Sequence, residues 1–335
     1  MAASDNAPYR SVAVIGAGAW GTALALVAAN AGRSVTLWAR EADVVASVNG
    51  AHENKRFLPG VTLPSSLAAT GALADCTMAE AFLVTSPAQH LRGTLVALRS
   101  GVKSGTPVVI CAKGIEEKTG SLLSEVLAET LPEAEPAMLS GPSFARDVAR
   151  GFPTAVTIAA RDKIAARLQA TLGGASFRLY SSGDITGVAL GGAAKNVYAI
   201  GCGMVDGAGF GENARAALLA RSFAELMRLG VKLGAHGETL MGLSGLGDMV
   251  LTATSKSSRN FALGVALGKG ASLNEAAGEG KPLAEGTFTA AALVARGARE
   301  SIELPIAEAV ADVIAGKLDV RHAAERLLAR PVGKE

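Results

Sequence analysis

Cysteine is scarce in this 335-residue chain: Cys76, Cys111 and Cys202 are widely spaced, odd in number and without a C-x-x-C pair. That excludes a disulfide framework and a thiolate zinc site, and it suits a reducing, cytoplasmic compartment where thiols serve as small apolar side chains. Histidine is rarer than its chemistry would need for a metal. His52, His90, His236 and His322 show no H-E-x-x-H or paired spacing, and no carboxylate cluster resembles a ligand set, so no metal is expected. Surplus charge is missing too. Thirty-two Lys and Arg face 30 Asp and Glu, a net +2, which leaves no cationic excess for a phosphate backbone; a nucleic-acid partner is not expected. What is present is apolar and backbone-rich. A 49% hydrophobic share excludes disorder, and 40 glycines describe a chain whose backbone turns sharply or approaches something closely. The length exceeds what one core usually organises, so two domains are expected.

One segment imitates a membrane span. Between Arg10 and Arg33 run 22 uncharged residues, with Ala29-Asn30-Ala31 resembling a signal-peptidase site. Gly16, Gly18 and Gly21 interrupt the run where a strand would hand over to a helix, and the preceding Arg10 is offset by Asp5. A later uncharged stretch, 57–74, contains Pro59, Gly60 and Pro64. No membrane span is expected.

The first half alternates β-rich runs with helix-capable segments. Ser11–Ile15, Ser34–Trp38, Ala81–Val84, Pro107–Cys111, Ala137–Leu139, Ala155–Ala159 and Phe177–Tyr180 read as strands, and the alternation implies a parallel sheet with crossover helices. After about Gly183 the pattern is helical. Leu219, Phe223, Leu226 and Met227 recur at helical spacing, as do Ile306, Val310, Val313 and Ile314 behind Pro305, a residue suited to a helix's first turn. The division expected is 1–187 and 188–335.

Gly16-Ala17-Gly18-Ala19-Trp20-Gly21 lies between a predicted strand and a predicted helix, Thr22–Ala31, the context that gives a G-x-G-x-x-G meaning. The first glycine permits the turn, the second admits a pyrophosphate to the backbone N–H groups, and the third brings helix close to strand. The first domain therefore reads as a Rossmann-like, mostly parallel α/β domain binding a dinucleotide, and the second as all-α. An acid closing the second strand would suit a free ribose 2′-hydroxyl, but Arg40 stands there, followed by Glu41. A guanidinium pairs with a 2′-phosphate and favours NADPH over NADH, while Glu41 could itself reach the ribose.

Eight ordered segments carry a family likeness: GAGAWGT at 16–22, NKRFLPG at 54–60, KGIE at 113–116, SGPSFA at 140–145, GAAKNVYAIG at 192–201, GLSGLGD at 242–248, SRN at 258–260 and Glu285-Gly286. Across nearly its whole length the chain resembles the NAD(P)-dependent sn-glycerol-3-phosphate dehydrogenases of bacterial type. The resemblance implies reduction of dihydroxyacetone phosphate, a step towards the backbone of membrane phospholipids, with NADPH or NADH.

The residues can be read against that chemistry. Lys195 is alone among charged residues in the apolar stretch 187–203, where desolvation would ease proton release, and the resemblance implies it as the acid–base residue. Asn196 beside it could hold the substrate or the lysine. Lys113 follows a strand and stands at the sheet's carboxyl edge; the resemblance gives it substrate and cofactor contacts. Gly141 and Ser143 lie in the next turn, with Pro142 able to begin a helix, and the resemblance assigns both to substrate and Ala145 to cofactor. Ser258, Arg259 and Asn260 offer a hydroxyl, a guanidinium fork and an amide for a substrate phosphate, with Arg259 as anchor. Asp248 could fix a substrate hydroxyl, orient Lys195 or cap a helix. Further cofactor contacts are implied for Gly16, Gly18, Ala19, Trp20, Gly21, Arg40, Arg259, Leu283 and Glu285. Ala19 departs from the small hydroxyl residue the family pattern would place there. Apolar helical stripes suggest a homodimer. Two other readings stay open: a two-domain dehydrogenase of a hydroxy acid or sugar acid, and a dinucleotide sensor without catalysis.

Overall fold

The computed structural model describes residues 6–278 and 283–331. The chain divides into two compact units, one comprising Met1–Lys113 and Leu123–Val188, the other Gly114–Leu122 and Ala189–Glu335. The second unit thus includes a short excursion, 114–122, that lies inside the first half of the sequence. An Ile115↔Leu122 bridge closes it, and the Arg299 guanidinium donates to the Thr119 carbonyl at 2.7 Å.

The first unit is built on an eight-stranded sheet: β1 Ser11–Ile15, β2 Ser34–Trp38, β3 Ala68–Thr70, β4 Ala81–Val84, β5 Pro107–Ile110, β6 Glu135–Ser140, β7 Thr154–Ala159 and β8 Phe177–Ser182. Their order is β3-β2-β1-β4-β5-β6-β7-β8. Every neighbouring pair is parallel except β6 and β7, where Met138 lies opposite Ala159 in an antiparallel ladder. All four residues of β4 and of β5 are buried, as expected of strands covered on both faces by helices. Val12, Val14, Leu37 and Leu83 share one core with Leu24 of the helix Ala19–Asn30, each contributing about 1.5–3 kcal/mol by leaving water. β3 falls where the sequence shows no strand signal: three residues, Ala68-Ala69-Thr70, with little β-branched content.

The uncharged N-terminal run resolves into β1 and the helix Ala19–Asn30. By length and composition, the helix Ile185–Gly207 could cross a membrane, but 94% of its apolar window is buried within the protein.

The second unit is helical. The helices Gly211–Lys232 and Pro305–Ile314 carry the two apolar stripes, with Leu226, Ile306, Val310 and Val313 buried and Pro305 in the first turn. The crossing between Ile185–Gly207 and Arg259–Gly268 is made by glycine. A Cβ on Gly203 would stand 2.1 Å from the Phe261 carbonyl oxygen, and one on Gly264 only 2.0 Å from that of Ile200. Gly207 and Gly268 make the same backbone-to-backbone approach, a Cβ on each falling 2.2 Å from the Val265 carbonyl oxygen and 2.3 Å from that of Met204, respectively.

Candidate active site

Strand β1 delivers Gly16 to the sheet's carboxyl edge between β2 and β4, where the strand order reverses and open α/β sheets bind ligands. The three glycines do different things. Gly16 has φ +115° and its carbonyl accepts from the Thr85 hydroxyl at 2.8 Å. A Cβ on Gly21 would lie 1.8 Å from the Gly16 carbonyl oxygen, so helix and turn touch only because Gly21 lacks a side chain. Gly18 is exposed, occupies the N-cap without a side-chain hydrogen bond, and has nothing within 4 Å of a built Cβ. The helix begins at Ala19, three residues before the Thr22 start expected from sequence, so Ala19, Trp20 and Gly21 form its first turn with their N–H groups at the positive end. The Trp20 indole N–H is buried and lacks a hydrogen-bond partner among the described residues. An open glycine, a helix N-terminus and an unused donor fit the pyrophosphate of a dinucleotide.

Arg40 follows β2, its side chain 76% exposed, and its guanidinium lies 3.0 Å from the Glu41 carboxylate. The two candidates for reading the ribose are paired with each other.

Lys113, Gly141 and Ser143 come together in the first unit. The Lys113 ammonium donates to the Gly141 carbonyl at 3.2 Å, and the Ser143 hydroxyl donates to the same oxygen at 2.9 Å. Gly141 has φ +149°, and a Cβ there would stand 2.8 Å from Val156 Cα. Pro142 does not begin the helix: the turn continues through Phe144, and Ala145 is the first residue of Ala145–Ala149.

The second unit holds a polar cluster in otherwise apolar surroundings. The Lys195 ammonium, 6% exposed, donates to Asp248 Oδ1 at 2.5 Å and to Thr252 Oγ1 at 2.9 Å. Lys195 is therefore not alone. Asp248 is 1% exposed, and its carboxylate compensates the ammonium's loss of water. Of the roles open to Asp248, helix capping is not the one found: Gly247 holds the N-cap of Asp248–Thr254, behind a π-helical turn, Leu243–Gly247. One turn along that helix stands Thr252, whose hydroxyl lies 3.3 Å from Asp248. Sequence reading misses Thr252, although its i+4 spacing from Asp248 puts both on one helix face.

Beside this pair, Asn196 Oδ1 accepts from the Asn260 amide at 3.0 Å, and Asn260 Oδ1 accepts from the Gly286 backbone N–H at 3.0 Å. Ser258 caps the helix Arg259–Gly268 by accepting from Phe261 N, and Arg259 at its first position is exposed. Glu285 opens the helix Glu285–Arg299, and half-buried Leu283 precedes it.

Family models described as the N-terminus and the C-terminus of NAD-dependent glycerol-3-phosphate dehydrogenase match residues 11–166 and 184–325. The chain belongs to the NAD-dependent glycerol-3-phosphate dehydrogenase family. A relative from Parvibaculum lavamentivorans, named glycerol-3-phosphate dehydrogenase (NAD(P)+), is 55% identical over 328 residues, covering 98% of each chain. One of the same name from Rhodospirillum rubrum is 55% identical over 97% of this chain and 93% of its own. The crystal structure of glycerol-3-phosphate dehydrogenase from Coxiella burnetii superposes with a TM-score of 0.91 at 37% identity, covering 96% of this chain and 99% of that one. Family membership agrees with the mostly parallel sheet of the first unit and the helical second.

Proposed function

We propose that this protein is an oxidoreductase that interconverts dihydroxyacetone phosphate and sn-glycerol 3-phosphate with NADPH or NADH, serving glycerophospholipid synthesis. The observation that carries the reading is the buried Lys195–Asp248–Thr252 cluster, a positioned proton donor of the kind ketone reduction requires. When bound, the dinucleotide supplies hydride to the ketone carbon. Lys195 gives its proton to the ketone oxygen as that oxygen becomes a hydroxyl, and takes it back in the reverse direction. Asp248 and Thr252 hold the Lys195 nitrogen in place, and Asn196 with Asn260 fixes the backbone beside it.

In this reading the Gly16, Gly18 and Gly21 turn, with Ala19 and Trp20, cradles the pyrophosphate, and Arg40 meets a 2′-phosphate, which favours NADPH. Lys113, Ala145, Arg259, Leu283 and Glu285 complete the cofactor contacts. Lys113, Gly141, Ser143, Ser258, Arg259 and Asn260 receive the substrate, with the Arg259 fork on its phosphate. A homodimer belongs to the reading, supported by the apolar side chains Phe210 and Leu328 that the second unit exposes. So does a cytoplasmic location, supported by three free, buried thiols, all of which burial holds protonated, with pKa values of about 11 for Cys76 and about 12 for Cys202 and one pushed higher still for Cys111.

Replacing Lys195 with Ala tests the mechanism. Turnover is expected to fall by about 10²-fold or more while dinucleotide affinity stays within twofold, measured as kcat and as Kd by cofactor fluorescence. Full turnover in a folded variant would contradict the assigned role.

A further inference from the structure

The segment after the helix Ala42–Ala51 does more than link that helix to β3. Its residue Asn54 is completely buried, and its amide Nδ2 donates to the Ala17 carbonyl at 2.8 Å and to the Thr22 hydroxyl at 2.8 Å. The Thr22 hydroxyl in turn donates towards the same Ala17 carbonyl at 3.4 Å. Ala17 is the second residue of the glycine turn, 4% exposed, and Thr22 follows its last glycine.

For the N–H groups at 18–20 to face a ligand, the Ala17 carbonyl has to turn into the protein. A carbonyl turned inwards must be given donors or its burial is costly. Asn54 and Thr22 are those donors. Asn54 is itself held: its Oδ1 accepts from Phe57 N at 3.1 Å, and its own carbonyl accepts from Leu58 N at 2.9 Å. The residue two before it, His52, takes the left-handed region at φ +50° to end the helix. From there an antiparallel Glu53↔Thr62 bridge and a Leu63 N–H to His52 carbonyl bond of 2.8 Å close the loop.

We propose that Asn54, with Thr22, is a positioning residue for dinucleotide binding: it locks the peptide of Ala17 inwards so that the helix N-terminus stays open to the pyrophosphate. The proposal rests on the dinucleotide reading of the glycine turn. Since the pyrophosphate is common to both cofactors, the effect belongs to affinity for NADH and NADPH alike and leaves the ratio between them unchanged.

The test uses Asn54→Asp, which keeps the acceptor for Phe57 N but replaces both donated bonds with an oxygen against the Ala17 carbonyl, and Thr22→Val, which removes one hydroxyl at constant shape. Kd for NADH and for NADPH is read by cofactor fluorescence, thermal melting reports folding, and amide hydrogen exchange follows residues 17–21. Asn54→Asp is expected to weaken both dinucleotides by about tenfold or more, and Thr22→Val by a smaller, equally unselective factor, with faster exchange confined to the turn. Were Asn54→Asp unable to fold, Thr22→Val decides by the same measurements. Folded variants that bind both dinucleotides within twofold of wild type overturn this inference alone. A wild type that binds neither overturns the dinucleotide reading and the inference with it.

Discussion

Glu225 is a carboxyl group held out of water, 2% exposed, and burial raises its pKa from 4.5 to about 7. Its oxygens accept from Ile306 N at 2.7 Å and Ala307 N at 3.3 Å, capping the helix Pro305–Ile314, and from the Tyr198 hydroxyl at 3.3 Å. These bonds and the Arg228 charge oppose the rise without cancelling it. The folded protein holds this proton more tightly than the unfolded chain. The Glu225 contribution to stability is therefore greatest below pH 4.5, falls as pH rises towards about 7, and is flat above. A Glu225→Gln variant keeps an acceptor for Ile306 and loses this titration. Its stability relative to wild type, from denaturant melts across that window, should grow with pH by roughly 3 kcal/mol in all; a constant difference would contradict the burial account.

Arg40 tests cofactor choice at the same scale. Its guanidinium is solvated and paired with Glu41, so Arg40→Ala should cost little stability. It should instead lower kcat/KM for NADPH relative to NADH by about tenfold, the loss of one charge-assisted hydrogen bond. An unchanged ratio would remove the 2′-phosphate role. Lys195 stands out in the sequence as a candidate because it is the one charged residue in the apolar stretch 187–203. Asp248 remained ambiguous and Thr252 unnoticed, because only the fold brings the helix Asp248–Thr254 onto the Lys195 ammonium.

At the scale of elements, strands buried on both faces read clearly as apolar runs, and β1, β2 and β4 begin and end where their sequences indicate. β3 was illegible because three residues hold too little pattern. β7 was legible as a strand, but its antiparallel pairing with β6 was not, because strand direction leaves no mark on composition. The abundance of glycine signalled close approach but not its location, which proves to include the crossing of Ile185–Gly207 with Arg259–Gly268. Gly264→Ala would place a Cβ 2.0 Å from the Ile200 carbonyl oxygen, and backbone cannot yield as a flexible side chain would. A loss of about 3 kcal/mol or more is expected in denaturant melts, against the gain of up to 1 kcal/mol that alanine normally brings to a helix interior. A stabilised Gly264→Ala protein would contradict the packing described.

In the molecule as a whole, the sheet-based unit carries the glycine turn and the helical unit the buried Lys195–Asp248–Thr252 cluster. The excursion 114–122, which begins directly after Lys113, joins the helical unit and makes the division discontinuous in sequence, something no composition shift announces. Sequence motifs ordered along the chain carried the family; the geometry adds which side chains meet within each unit. The most direct measurement mixes wild-type protein with NADPH and dihydroxyacetone phosphate, follows the reduced cofactor by absorbance and quantifies the product. Loss of NADPH matched one for one by sn-glycerol 3-phosphate is expected. Tight binding of NADPH with no consumption of either reactant would contradict the proposed function.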